Sequence, residues 1–151
     1  MLIGLIADTH GLLRAEAQAA LAGCDHLIHA GDIGKPEILE QLRLIAPLTV
    51  VRGNNDRGLP WAEPLPDYEQ FTLNDTAFFL THEMADVPDP LPAGTAVVIT
   101  GHSHKPLVEQ RGNVLYINPG SAGPRRFKLP VSVALLTLGP QGAQVHLQRL
   151  D

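Results

Sequence analysis

The sequence predicts an α/β domain whose second half turns to β-structure, and three observations carry that reading. Apolar runs too uniform for one-faced strands each end in a short polar loop. They are Leu2 to Ala7 before Asp8-Thr9-His10-Gly11, His26 to Ala30 before Gly31-Asp32-Ile33-Gly34, and Leu48 to Arg52 before Gly53-Asn54-Asn55-Asp56. Such runs suit strands covered on both faces, as in a parallel or mixed sheet under helices. Segments of helical spacing lie between them, and after Asp67 the pattern becomes short strands and tight turns.

Each element has its own reason. Leu13, Ala17, Ala20 and Leu21 recur at helical spacing within Leu12 to Ala22, and Gly23 is a stop. Pro36 opens a second helix that runs to about Ile45, ahead of Pro47. Pro60, Pro64 and Pro66 make Leu59 to Asp67 an irregular loop. Tyr68 to Leu73 and Thr76 to Thr81 read as a hairpin about Asn74-Asp75, so Asn74-Asp75-Thr76 is turn chemistry rather than a glycosylation acceptor. Pro88, Pro90 and Pro92 exclude a full helix from Glu83 to Gly94. Ala96 to Thr100 leads into Gly101-His102-Ser103-His104. Strands at Leu107 to Gln110, Val114 to Asn118, Val131 to Leu138 and Ala143 to Leu150 follow, expected to form a second sheet or complete a sandwich.

Composition narrows the class. The 151 residues suit one domain spanning 1–151, with 44% hydrophobic and 18% charged residues. No apolar run approaches the roughly 20 residues that cross a bilayer, and Leu2 to Ala7 is too short for a signal peptide. A lone Cys24 fits a reducing compartment, so the expectation is a cytoplasmic protein. A net charge of -5 argues against extended nucleic acid and anionic membranes as partners.

The strand-end polar residues are Asp8, His10, Asp32, Asn54, His82, His102 and His104. Nitrogen and oxygen donors without thiolate suit divalent manganese, iron, cobalt, nickel or zinc, and argue against a structural thiolate zinc site. Seven donors are too many for one ion and the right number for two that share a carboxylate. Two dications against two carboxylates leave a positive site and favour an anionic substrate. In extended backbone His102 and His104 would point the same way, roughly 6 to 7 Å apart, which suits two adjacent ions. His29 is expected to hydrogen-bond beneath the site, and His26 and His146 to be ordinary surface or edge histidines. Asn118 and Ser121 read either as groups that orient a ligand or as part of a turn at Pro119-Gly120. Arg125, Arg126 and Lys128 read equally as a solvated loop or as a grip on substrate phosphate.

The order Asp-x-His, Gly-Asp, Gly-Asn-x-Asp, His, Gly-His-x-His, from Asp8 to His104, resembles the calcineurin-like metallophosphoesterase superfamily. With Asn118-Pro119-Gly120-Ser121 and the small size, it is most similar to the compact YfcE-type phosphodiesterase branch. The resemblance implies a four-layer sandwich of two mixed β-sheets flanked by helices. It implies that Asp8, His10 and His104 hold one metal and Asn54, His82 and His102 the other, with Asp32 bridging. Asp32, Asn54 and His82 are expected to serve catalysis directly. The implied cofactors are two divalent ions, manganese first, with nickel, cobalt, iron or zinc as alternatives. The implied reaction is hydrolysis of a small phosphodiester, nucleotide-like molecules among them, by a hydroxide that bridges the ions. Two departures from the family pattern stand out. Asn55 occupies the place of a histidine proposed as proton donor in phosphoprotein phosphatases, and a short proline-rich segment beginning His82-Glu83 replaces a longer, often helical one after histidine-glycine. A phosphomonoesterase or small nuclease is the alternative within enzymes. A protein-interaction scaffold like the retromer subunit of this fold is the alternative outside them, and homo-oligomers stay open.

Overall fold

The computed structural model describes residues 1–151. Its first half alternates strand and helix: β1 (Leu2–Ile6), α1 (Ala15–Leu21), β2 (His26–His29), α2 (Pro36–Arg43) and β3 (Leu48–Val50). Its second half is β4 (Tyr68–Leu73), β5 (Thr76–Thr81), β6 (Thr95–Ile99), β7 (Leu107–Arg111), β8 (Val114–Asn118), β9 (Ser132–Gly139) and β10 (Gly142–Arg149). Both helices are shorter than their periodicity suggests. A turn from Leu12 N–H to Thr9 O and an extended Arg14 delay the first, and the second tightens at its end, where Ile45 N–H bonds Leu42 O. No helix is long and apolar enough to cross a membrane.

Two mixed five-stranded sheets result, ordered β10-β9-β1-β2-β3 and β4-β5-β6-β8-β7. The late strands therefore form no separate sheet but complete the sandwich by joining both sheets. β7 and β8 extend the second sheet, while β9 and β10 return to the first, with β9 antiparallel to β1. Ser132, Val133, Ala134, Leu136 and Leu138 of β9 are all buried, as suits an internal strand covered on both faces.

The sheets face each other across a core of Ile3, Leu5, Ile28, Phe78, Leu80, Val97, Ile99 and Leu136 among others. Alternate residues of the first sheet, including Ile6 and Leu27, point the other way and meet Ala17, Leu21, Ile38, Leu39 and Leu42 of the helices. Both βαβ crossovers thus place their helices on one outer face. The outer face of the second sheet carries no α-helix. The proline-rich strap does that work, its Pro88, Leu91 and Pro92 lying beside Phe79, with a single 3-10 turn at Met84–Asp86.

Each sheet contains three adjacent parallel strands: β1, β2 and β3 in one, running out to its edge, and β5, β6 and β8 at the centre of the other. Their carboxyl ends meet at a common rim, which gathers six strand-end loops in one place. At the opposite end of β5, Asn74 (φ 49°) and Asp75 (φ 60°) both adopt the left-handed conformation of a two-residue hairpin turn.

Phe78 is the largest fully buried side chain and stacks on Phe71 at 5.1 Å between ring centroids. Phe78→Ala should cost about 3 to 5 kcal/mol of stability in urea unfolding, with little change in the denaturant slope.

Candidate metal centre

The rim brings together what the sequence scattered. Asp8 and His10 follow β1, Asp32 follows β2, Asn54 follows β3, His82 follows β5, and His102 and His104 follow β6. Two donor groups form: Asp8, His10 and His104, and Asp32, His82 and His102, with the potential ligand atoms within each no more than 4.8 Å apart. The grouping separates His102 from His104. Asn54 is exposed on its loop, beside Gly53, whose backbone lies so close to Asp32 that a Cβ there would overlap its carboxylate.

Both carboxylates reach across the groups. Asp8 Oδ1 lies 3.9 Å from His10 Nε2, 3.6 Å from His104 Nε2 and 3.9 Å from His82 Nε2. Asp32 Oδ2 lies 3.8 Å from His10 Nε2 and 3.3 Å from His82 Nε2. These are ion-pair separations rather than hydrogen bonds. Asp8 Oδ1, His82 Nε2 and His104 Nδ1 are buried and have no hydrogen-bond partner. Buried polar atoms are nearly always paired, so three orphans in one place mark a site shaped for something else.

Backbone strain points the same way. Asp8 (φ 55°), His10 (46°), Asp32 (57°), His102 (72°) and His104 (64°) all occupy the left-handed region, which side-chain-bearing residues avoid. Five such residues among seven candidate ligands turn the donors inward at the strand ends. Gly31 (φ +102°) is required, because a Cβ there would lie 2.7 Å from His82 Nδ1 and 2.8 Å from Gly53 N.

The supporting contacts fix each donor. His82 Nδ1 is 2.7 Å from Ala30 O, so the Nδ1 proton donates there and Nε2 keeps its lone pair for the rim. His102 N–H donates to Asp8 Oδ2 at 3.0 Å and ties one sheet's loop to the other's carboxylate. Asn118 Nδ2 holds Gly101 O and Ser103 Oγ, and Ser121 Oγ donates to Asp8 O. Both therefore orient the ligand loops. His29 pairs with Thr9 Oγ1 and accepts from Gly31 N–H, beneath the site as expected. His26 meets Thr49, and His146 is exposed on the edge strand β10.

Two roles escaped the sequence. Asn55 donates from its backbone to Asp32 Oδ1 at 2.9 Å and from its side chain to Asp32 Oδ2 at 3.0 Å. Asp56 is fully buried and accepts from the N–H groups of Ile33, Gly34 and Gly53, pinning two loops together. A carboxylate two residues past Gly53-Asn54 was the available signal, but it could equally have been a solvated turn residue.

Burial pushes Asp8 up to about 7, with His82 pulling it down and Asp32 adding to the rise. Burial also acts to raise Asp32, but His82 and the Asn55 N–H outweigh it and hold Asp32 at about 2. Burial lowers His104 to about 4 and His29 to about 3. Burial would lower His82 too, yet the facing Asp32 and Asp8 raise it. A buried carboxylate held up at about 7, beside the imidazoles of His10 and His104 that burial keeps neutral, forms a donor set that a divalent cation fits.

The profile of the Calcineurin-like phosphoesterase superfamily domain matches residues 1–140. The chain is 32% identical over 162 residues to a probable metallophosphoesterase of Methanothermobacter thermautotrophicus, covering 99% of this chain and 92% of that one. It is 31% identical over 156 residues to phosphodiesterase YfcE of Escherichia coli, covering 85% and 83%. The solved YfcE structure superposes with a TM-score of 0.70 over 91% of this chain and 88% of that one, at 29% identity. Vps29 of Chaetomium thermophilum shares the fold at a TM-score of 0.75 and 20% identity, covering 99% and 96%.

Asp56→Ala would strand the buried N–H donors of Ile33 and Gly53, each worth about 1 to 3 kcal/mol, and remove the part-buried bond from Gly34 N–H. The expected outcome is a loss of at least about 3 kcal/mol in chemical unfolding, whereas the exposed Asn54→Ala should change stability by less than about 0.5 kcal/mol. The chain, with its paired donor groups on the rim of two mixed sheets, belongs to the calcineurin-like phosphoesterase superfamily.

Proposed function

We propose that this chain is a divalent-metal phosphodiesterase holding two ions, one by Asp8, His10 and His104 and one by Asp32, His82, His102 and Asn54, with Asp32 serving both. The observation that carries the reading is the set of orphaned, buried lone pairs at Asp8 Oδ1 and His82 Nε2, set between two three-donor groups. Bound there, two divalent ions supply Lewis acidity toward a phosphoryl group and a water of near-neutral pKa. This nitrogen and oxygen donor set suits manganese, nickel, cobalt, iron and zinc alike, and the family resemblance puts manganese first among them.

The chain's own residues do the rest. His82 is locked in one tautomer by Ala30 O and stays a ligand rather than a proton carrier. Both Asp32 oxygens accept from Asn55, so that carboxylate keeps its angle toward each donor group. Asn55 is thereby committed to Asp32 and carries no ionisable proton for a leaving alcohol. General acids contribute roughly 10² to 10⁴ in rate, so esters with good leaving groups are favoured and alkyl monoesters disfavoured. A small phosphodiester, nucleotide-like in kind, fits these terms. The scaffold reading rests on the fold shared with Vps29, and seven competent donors at the rim favour the enzyme.

Chelator-stripped protein given Mn²⁺, Ni²⁺ or Co²⁺ should recover hydrolysis of bis(p-nitrophenyl) phosphate, at a rate at least about 100-fold above that for an alkyl phosphomonoester. Failure to recover with any of the ions would favour the scaffold. His102→Ala should lose metal in elemental analysis and at least about 10-fold in activity. Retention of both metals and full activity would refute the assignment.

A further inference from the structure

Beyond β8 the chain crosses the rim. Ala122 N–H bonds Ala7 O, Ser121 Oγ bonds Asp8 O, and Gly123 packs so tightly on Asp8 and Thr9 that no Cβ would fit. The next residues form a turn closed by Leu129 N–H on Arg126 O, and three features of that turn have no internal explanation.

The first is Phe127, which is 93% exposed and held at φ 53°. An aromatic residue gains nothing from solvent and is an outlier in left-handed backbone. The second is charge. Arg125 is paired with Asp151, whereas Arg126, Lys128 and Lys105 have no acidic partner, in a chain of net charge -5. The third is placement. Phe127, Lys128 and Leu129 line a cavity of about 910 Å³ together with Lys105 and Ser103, and Ser103 sits between His102 and His104. Arg126 is also near enough to Asp8, His10 and His104 for its charge to bear on all three.

We infer that this cavity is a nucleotide subsite: a base stacks on Phe127 while Lys105, Lys128 and Arg126 hold phosphate and lead it toward the Asp8, His10 and His104 group. The inference rests on the phosphodiesterase reading and narrows its substrates to phosphodiesters that carry a nucleoside. Stacking a base on an aromatic ring tolerates any base, so the subsite selects for the presence of a ring and an anion together. Neither a ring nor a phosphate alone satisfies it.

Calorimetry on the full chain with adenosine 5′-monophosphate, adenosine and inorganic phosphate separates these contributions. The monophosphate should bind at least about tenfold more tightly than either part. Phe127→Ala should reduce its affinity to near that of phosphate, and Phe127→Tyr should retain it. Lys128→Ala should weaken it in part, and Lys105→Ala combined with Lys128→Ala should bring it near that of adenosine. Equal affinity for the monophosphate and phosphate in the unaltered chain would overturn the inference. So would a Phe127→Ala variant that keeps its affinity but changes oligomeric state, which would make Phe127 a self-association contact. An unaltered chain that hydrolyses bis(p-nitrophenyl) phosphate but does not prefer the monophosphate loses the subsite and keeps the phosphodiesterase reading. A chain inactive with every metal that still prefers the monophosphate loses the phosphodiesterase reading alone.

Discussion

The burial of two carboxylates on one rim is the constraint on which the upper half of this molecule depends. Asp8 is fully buried and Asp32 nearly so, and each carries charge that the other resists. Their solutions differ. Asp32 takes two N–H donors from Asn55 and faces His82, while Asp8 takes one from His102 and leaves its second oxygen directed at three imidazoles. One carboxylate is held ionised by the protein and the other asks for a cation. The surrounding loops answer that difference: Asp56 and Asn118 clamp the backbone so that the donors cannot relax away from each other.

That arrangement is held under strain. The five left-handed residues cost on the order of 1 to 2 kcal/mol each, a large sum beside ordinary domain stability. It can persist only because the strands beneath are packed on both faces, with Ile3, Leu5, Leu80 and Ile99 fully buried between the sheets. The two parallel triads place six strand ends at a common rim, and each sheet's core supports the geometry of its own loops. Pre-organisation of this kind lets a bound ion find its ligands without further ordering of the chain.

Much of this was legible in the residues. Uniform apolar strands identified buried parallel sheet, Asn74-Asp75 identified its hairpin, and Pro36 opened its helix. The donor residues were legible from their order because each stands at a strand end. The fate of β9 was not, since a strand with two buried faces can insert into either sheet and only long-range pairing decides which. The anchoring roles of Asn55 and Asp56 were also hidden. The partners that make them clamps, Asp32, Ile33 and Gly34, lie more than 20 positions away, and nothing local separates a clamp from a turn. Phe127 gave no signal at all, because exposure of an aromatic residue is a property of the fold and not of its neighbours in sequence.

The central claim is that Asp32 joins two ions into one centre. Manganese titration into the stripped chain, followed by electron paramagnetic resonance, tests it directly. A spin-coupled signal from a Mn²⁺ pair that saturates near two ions per chain, converted by Asp32→Ala to uncoupled ions, is the expected result. A single uncoupled Mn²⁺ at saturation, or coupling unchanged in Asp32→Ala, would contradict it.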